Sequence, residues 1–362
     1  MPLTESWDVG TVDIYTIDNQ DDRYQPSSIN SFAYWHDTAE DRLYRWGGSI
    51  GHRGNMTKED LELWEFETAS DGEAGSGSWK PSYAANPDVF DNIMGTTDGA
   101  GISCRDKGFW IGGVGRISTD PRYADVADDK RMPVPGILTY DMATEKWSND
   151  STAGMSPPYG SVINAAAACA EGFPADPIVL PLGGRRTSPD DIGESDPRSM
   201  SNITFWSPES KQWYWQEASG DVPSRRDHPC LAGAKSTNGT YEIFMYGGRD
   251  DNGETQGDMH VLTLPGFQWF KIDAEAPQRL YHSCTTVGSR QMLSTGGMSK
   301  EWDWDVPDTW KNALGIFDMT DLRWKTSFDA GAAEYESPQL VQDWYEEGYV
   351  LMTVSRPDLD GC

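Results

Sequence analysis

The sequence predicts an all-β protein built from repeated antiparallel sheets, and three observations support that prediction. A Gly-Gly pair preceded by strand-forming residues occurs five times, a Trp follows each pair after a later strand-like run, and frequent turn residues leave no convincing amphipathic helix. The spacing between the pairs is long and uneven, so the insertions differ between units. The pairs are Gly47 and Gly48, Gly112 and Gly113, Gly183 and Gly184, Gly247 and Gly248, and Gly296 and Gly297.

The glycine pairs are expected at strand ends, where glycine permits a positive φ and a close approach of neighbouring backbone. We expect a Trp on a later strand to pack over each pair and to fill the space between sheets. One four-stranded unit cannot bury both of its faces alone, whereas several units stacked around an axis can, as in a β-propeller. The tryptophans in this position are Trp79, Trp147, Trp213, Trp269 and Trp324.

The units predict a six-bladed propeller that forms a single domain over residues 1–362, with seven blades as the alternative. The sixth blade is composite: residues 335–355 would supply its inner strands and residues 5–18 its outer strands. Joining the termini in this way closes the ring and removes a free sheet edge. A chain that lacks the inner strands of its first blade is the competing explanation. The other blades are expected at residues 27–80, 98–147, 160–215, 225–270 and 279–324.

These repeats resemble those of Kelch β-propellers, the galactose oxidase/Kelch superfamily. They share with that family a double glycine that closes the second strand, a Tyr-x-Asp-like third strand and a Trp on the fourth strand. The resemblance extends over about residues 35–355. A narrower resemblance, to the Kelch ectodomains of filamentous ascomycete fungi, lies in residues 241–248, 257–270, 290–297, 314–319 and 343–345.

The narrower resemblance implies an extracellular or cell-surface location, because proteins of that kind carry a signal peptide, a propeller and often one membrane span. This chain shows no basic and apolar leader, and its most apolar stretches, 162–170 and 349–354, are too short for a membrane helix. A cytoplasmic location is the alternative. Four sequons favour the secretory route. The candidate glycosylation sites are Asn55, Asn149, Asn202 and Asn238.

The charge of the chain excludes some classes of partner. It contains 58 acidic and 29 basic residues, which gives a formal net charge of -29. Such a surface repels phosphate backbones and anionic lipid headgroups, so nucleic acid and membrane surfaces are not expected as partners. The same charge limits non-specific association. We expect a monomer that binds a protein or a cell-wall glycan.

Four of the five cysteines lie in the first strand-like run of a unit, and Cys362 is the last residue. Equivalent positions in radially arranged blades would form a ring, which suits a metal-binding or redox site. We expect small buried apolar side chains instead. A disulfide needs Cα atoms within about 7 Å of each other, and cysteines of separate blades are not expected to meet this limit. The four are Cys104, Cys169, Cys230 and Cys284.

A longer motif precedes two of the glycine pairs. Pro223-x-Arg225-x-x-His228-x-Cys230 matches Pro277-x-Arg279-x-x-His282-x-Cys284, and Arg225, His228, Arg279 and His282 are candidates for one mouth of the channel. A copper or iron site would suit the histidines, but the Tyr/Cys/His ligand set of galactose oxidase has no match here. Repeated residues more often perform repeated structural tasks, and the arginines are expected to pair with carboxylates. We therefore expect no catalytic residue, no cofactor and no bound metal.

One insertion is a candidate ligand loop because Trp and Asp alternate in it. Indole rings stack on pyranose faces and carboxylates accept hydrogen bonds from sugar hydroxyls, so the pattern suits sugar recognition. A loop whose tryptophans pack on the propeller explains the same pattern. The residues are Trp302, Asp303, Trp304, Asp305 and Trp310.

The sequence contains no serine nucleophile elbow, no phosphate-binding glycine loop and no H-E-x-x-H motif. The predicted function is therefore a non-catalytic Kelch-type binding or scaffold module, as the extracellular part of a fungal cell-surface protein. Two alternatives stay open: a propeller oxidase of the galactose oxidase type, and a cell-wall carbohydrate-binding protein that uses the Trp302–Trp310 loop.

Overall fold

The structure, a computed structural model, shows an all-β fold with a propeller arrangement. The chain divides into two compact units. The N-terminal unit consists of Tyr15–Ala165, Arg185–Asp196 and Asp358–Cys362, and the C-terminal unit consists of Met1–Ile14, Ala166–Gly184 and Pro197–Pro357. The residues that the structure describes are 3–15, 18–19, 24–51, 57, 59–69, 76–126, 130–155, 160–172, 176–187, 196–299 and 307–348.

The N-terminal unit contains blades I and II, each an antiparallel meander in which consecutive strands pair. Asp18–Asn19 adds in parallel to the fourth strand of blade I. The strands of blade I are Ala33–Asp37, Arg42–Trp46, Leu63–Thr68 and Ser76–Ser82. The strands of blade II are Ala100–Cys104, Lys107–Ile111, Ile137–Asp141 and Lys146–Asp150.

Aromatic rings fill the core of the N-terminal unit. Trp35 is fully buried, its Nε1 donates to the main-chain oxygen of Phe109 at 3.0 Å, and its ring lies 6.0 Å from that of Tyr140. Gly108 lies beneath this indole, where any Cβ would overlap the ring. Large rings thus supply buried area where aliphatic side chains are sparse.

Blades III, IV and V repeat the meander. Blade III consists of Val162–Ala170, Ile178–Arg186, Asn202–Ser207 and Gln212–Glu217, with Asp196–Pro197 paired to its second strand. Blade IV consists of Cys230–Lys235, Tyr241–Tyr246, Met259–Leu264 and Gln268–Ile272, with Ser219–Gly220 added at its edge. Blade V consists of Leu280–Val287, Gln291–Met298, Leu314–Asp318 and Arg323–Lys325.

Short elements complete the described part of the chain. Two-residue ladders join Trp7–Asp8 to Ser327–Phe328, Ile29–Asn30 to Ser49–Ile50, Val114–Gly115 to Met132–Pro133, and Arg226–Asp227 to Arg249–Asp250. The helices are the α-helices Pro87–Phe90 and Gln339–Glu346 and the 3₁₀ turns Glu59–Leu61, Pro121–Tyr123 and Lys311–Ala313. Within the described residues, no helix has the length and apolarity needed to cross a membrane.

The described residues form five blades, so the prediction of six, with seven as the alternative, was wrong. The expected inner strand near residue 340 is the helix Gln339–Glu346. The expected outer strand Trp7–Asp8 is a two-residue ladder beside Ser327–Phe328 in the C-terminal unit. Residues 349–354, the other expected inner strand, lie outside the described residues.

Blade IV holds the segment that was expected to begin the sixth blade. The buried carboxylate of Glu242 accepts hydrogen bonds from the hydroxyls of Tyr335 at 3.0 Å and Ser337 at 3.1 Å. The helix Gln339–Glu346 begins two residues later and buries Val341 in the same apolar cluster as Tyr335. This segment therefore serves as packing on blade IV.

Both glycines of all five pairs have positive φ, between 66° and 99°. The amide of the second glycine donates a hydrogen bond to a carbonyl at the start of the next blade. Gly48 N donates to Thr96 O at 2.8 Å, and Gly248 N donates to Arg279 O at 2.8 Å. A Cβ at Gly47 or Gly247 would collide with those same carbonyl oxygens. The first glycines of four pairs are thus covered by neighbouring backbone, whereas an indole was expected there; Gly296 of the fifth pair is open.

The indoles of the described residues pack elsewhere. Trp147 contacts the rings of Tyr140 and Trp46, and Trp324 contacts those of Tyr246 and Phe317. Where an indole does cover a glycine, that glycine is a single one, such as Gly108 beneath Trp35 or Gly315 beneath Trp310.

Candidate functional site

The matched motifs before blades IV and V differ by one residue in structural register. In blade IV, Cys230 pairs with Tyr246, the residue before the first glycine; in blade V, Ser283 pairs with the corresponding Thr295. Cys284 therefore lies one position further along its strand than Cys230. The backbone angles show the same offset. The residue with positive φ at the start of the strand is His228 in blade IV and Tyr281 in blade V, whereas the sequence match pairs His228 with His282.

This offset decides which arginine is buried. Arg226 and Arg279 are at most 2% exposed, and each donates to the carbonyl of a first glycine, Gly247 at 3.1 Å and Gly296 at 2.6 Å. Arg225, which the sequence matched to Arg279, is exposed. Arg226 was not among the predicted site residues, because the sequence does not show which of two adjacent arginines is buried.

Each buried arginine is paired with a carboxylate. Arg226 binds both oxygens of Asp258, and Arg279 binds both oxygens of Asp308. Burial alone would raise the pKa of Asp258 and of Asp308, but the hydrogen bonds from the guanidinium groups outweigh it and lower both pKa values. Arg225 pairs with Asp251 at 2.7 Å. These ion pairs suit arginines that stabilise the blades.

The two candidate histidines have unlike environments. His228 lies at 2.8 Å from Asp227 through Nδ1, and its ring centroid is 4.1 Å from that of Tyr281. His282 is buried against the ring of Tyr246, and its ring nitrogens have no well-aligned hydrogen-bond partner in the described structure, where the backbone of Tyr246 offers only a weak one. Burial lowers the pKa of His282 to about 3, so the imidazole is neutral at pH 7.

The expectation that no disulfide joins two blades was wrong. Cys230 of blade IV and Cys284 of blade V form a disulfide with their Cα atoms 5.3 Å apart. A one-residue offset turns a strand side chain to the opposite face of its sheet, so these two side chains project toward each other between adjacent blades. Cys104 and Cys169 are buried, but they too are disulfide-bonded, so they are not the free apolar side chains that were expected.

The candidate ligand loop is described only at its end. Trp302, Asp303, Trp304 and Asp305 lie outside the described residues. The half-buried indole of Trp310 lies 4.6 Å from the guanidinium of Arg279 and 4.8 Å from the ring of Trp324. These contacts occupy the ring faces that a sugar would need.

Of the candidate glycosylation sites, Asn55 lies outside the described residues, and the other three are exposed. In the sequon that begins at Asn238, the side-chain oxygen of this Asn accepts hydrogen bonds from the amide and the hydroxyl of Thr240. The exposed three are Asn149, Asn202 and Asn238.

A cavity of about 420 Å³ in the N-terminal unit was not foreseen from the sequence. Its walls come from the end of the second strand of blade I, the turn before the third strand, the segment that leads into blade II, and the turn Pro121–Tyr123. They are mainly apolar, with two carboxylates and one guanidinium. The lining residues are Trp46, Gly47, Leu61, Glu62, Phe90, Asp91, Ile93, Gly95, Pro121 and Arg122.

Asp120, which is fully buried, fixes one wall of this cavity. Its carboxylate accepts from the amide of Gly95 at 2.8 Å and from the guanidinium of Arg122 at 2.6 to 3.0 Å. Arg122 in turn donates to the main-chain oxygens of Asp91 and Ile93. The positive charge of Arg122 is thus neutralised within the wall, and the exposed carboxylate of Asp91 lies at the edge of the cavity.

The comparison with protein families agrees with this architecture. Residues 178–336 match the KLHDC2/KLHL20/DRC7 Kelch-repeats domain, a range that runs from the second strand of blade III to just beyond blade V. The match and the blades support a Kelch β-propeller. Kelch domains mediate protein binding, so a binding or scaffold module is supported as well. A search among curated proteins finds no significant match.

Proposed function

We propose that this Kelch propeller binds a basic segment of another protein and that an apolar side chain of that segment enters the cavity beside Trp46. The observation that carries the proposal is the cavity itself, which has apolar walls and a buried Asp120 that holds them. Clefts of this size with a few fixed polar groups are typical ligand sites.

Charge complementarity supports a basic partner. Asp91 is exposed at the edge of the cavity, and Arg122 is already paired with Asp120. The net charge of -29 would also accelerate the encounter with a cationic segment at low salt. A Lys or Arg beside an aliphatic or aromatic side chain therefore fits this surface.

The test uses fluorescent peptides in which Leu or Phe is flanked by Lys, with matched peptides flanked by Glu. We expect the Lys peptides to bind and Asp91→Lys to slow their association several-fold, because rim charges act mainly on the association rate. Leu61→Trp, which fills the cavity, should weaken binding. Asp88→Lys is the control, since Asp88 is exposed in the neighbouring helix but does not line the cavity. Equal effects of the two Lys substitutions, or equal binding of Glu peptides, would reject the proposal.

We also propose that the chain works outside the cell, as part of a fungal cell-surface protein. The Cys230–Cys284 disulfide supports this location because disulfides persist in oxidising compartments, and three exposed sequons are accessible to glycosylation. Expression of the full reading frame in a fungal host should place the protein at the surface, with a glycosidase-sensitive mass that Asn149→Gln, Asn202→Gln and Asn238→Gln reduce. A cytosolic, unmodified product would contradict this location.

A further inference from the structure

One cluster in the C-terminal unit brings three soft or borderline ligands together. Donor atoms of Cys230, His282 and Cys284 all lie within 4.8 Å of one another. His282 and Cys284 are two residues apart on one strand and therefore share a face, and Cys230 faces them from blade IV.

His282 supplies the second, independent observation. It is buried, and neither Nδ1 nor Nε2 has a well-aligned hydrogen-bond partner in the described structure, where the backbone of Tyr246 offers only a weak one. A buried polar group without a partner is costly, and such groups often mark a site for an ion. The imidazole is held in place by the ring of Tyr246 on one side and by Gly247, against which its Cε1 packs.

We propose that, once the Cys230–Cys284 disulfide is reduced, the two sulfurs and His282 bind a monovalent copper ion. Thiolates select soft ions such as Cu(I) or Zn²⁺. A structural zinc site takes four protein ligands, whereas the described residues supply three donors here. Two thiolates and a neutral imidazole also leave a copper(I) complex with one negative charge. Arg279 lies beside this cluster, since its Cγ and the Cβ of His282 both pack against Gly297.

The chemistry needs a reductant, which we take to be a small dithiol. Its two S–H groups supply two electrons and two protons, the protein S–S bond breaks to give two cysteine thiols, and the reductant becomes a cyclic disulfide. Binding of Cu(I) then releases the two thiol protons to solvent. Cys284 is partly exposed and Cys230 is buried, so the sulfur of Cys284 is the accessible point of attack. The ion replaces the disulfide as the link between blades IV and V.

The test is copper(I) binding by the full chain, before and after reduction and anaerobic removal of the dithiol, with a chromophoric copper(I) chelator as competitor. We expect the reduced chain to bind one more ion than the Cys230→Ser/Cys284→Ser double variant, which subtracts binding by other cysteines. The disulfide form should bind no ion at this site. His282→Gln should weaken the affinity of that one ion about tenfold or more. Equal stoichiometry in wild type and double variant would overturn the proposal.

A spectroscopic measurement on the wild type keeps the test independent of how the variants fold. X-ray absorption of the copper-loaded reduced chain should show a first shell of sulfur and one imidazole nitrogen. A shell of sulfur alone would overturn the role of His282. Tighter binding of Zn²⁺ than of Cu(I) at the same site would overturn the assignment of the ion.

Discussion

Blades IV and V begin with the same sequence motif, yet the structure gives its residues different tasks. In blade IV, Arg225 is exposed and His228 is hydrogen-bonded to Asp227; in blade V, Arg279 and His282 are buried. The cause is a one-residue offset in strand register, which exchanges the two faces of a strand. The same residue types in two repeats therefore need not occupy equivalent structural positions. The hydrogen bonds to the glycine pair identify the equivalent residues more reliably.

The largest expected effect separates the buried arginines from the exposed one. Arg226→Met and Arg279→Met should each lower the free energy of unfolding by about 3–5 kcal/mol, because each leaves a half-buried carboxylate without its partner. Arg225→Met should cost only about 0–1 kcal/mol, since its ion pair is solvent-exposed. Urea denaturation of the three variants measures the differences. A large loss of unfolding free energy for Arg225→Met, together with a small loss for Arg226→Met, would contradict the one-residue offset and support the alignment that the sequence motif suggests.

A second comparison concerns the first glycines of the same two blades. Both have φ near 67°, but a Cβ at Gly247 would collide with Arg279 O, whereas no described heavy atom lies within 4 Å of a Cβ at Gly296. Gly247→Ala should therefore cost about 2–4 kcal/mol, from backbone strain and overlap together. Gly296→Ala should cost about 1–2 kcal/mol from strain alone. Equal losses in thermal or urea unfolding would show that neighbouring backbone does not cover Gly247.

A further expected effect is the pH dependence of stability that His282 contributes. Burial lowers its pKa to about 3, so between pH 6.5 and 3 the unfolded chain binds a proton that the folded chain does not. Stability should therefore fall as the pH drops through this window, with a slope of at most about 1.4 kcal/mol per pH unit.

His282→Leu tests that slope. At pH 7 the substitution should be neutral or stabilising, because it removes a polar group that has no well-aligned partner. Between pH 6.5 and 5 the variant should lose stability less steeply than the wild type. This upper part of the window avoids the carboxylates with lowered pKa, such as Asp258 and Asp308, whose contributions are lost at lower pH. Parallel profiles for the two proteins would contradict a buried neutral imidazole.

The sequence predicted the features that follow from local pattern. Five Gly-Gly pairs and alternating strands predicted an all-β propeller, and five sheets of four main strands each are present. The prediction of a sixth blade was wrong because its expected inner strand is a helix. The apolar residues Leu340, Val341, Trp344 and Tyr345 have the spacing of a helix and not the alternation of a strand.

The rest of the candidate site depends on contacts between distant residues. The disulfide could not be predicted while the register offset between blades IV and V was hidden. The cavity is assembled from four separate segments of the N-terminal unit, none of which carries a motif. Two of these segments are the short turns that contain Leu61 and Pro121, and turns of this kind have no hydrophobic period to read.

The central claim is that adjacent blades meet through their first strands, one residue out of the register that the sequence suggests. Peptide mapping of protein purified without reductant, alkylated under denaturing conditions, tests it most directly. We predict a linked pair of peptides that contains Cys230 and Cys284. Recovery of both cysteines as alkylated thiols, or of either one linked to another cysteine, would contradict the account.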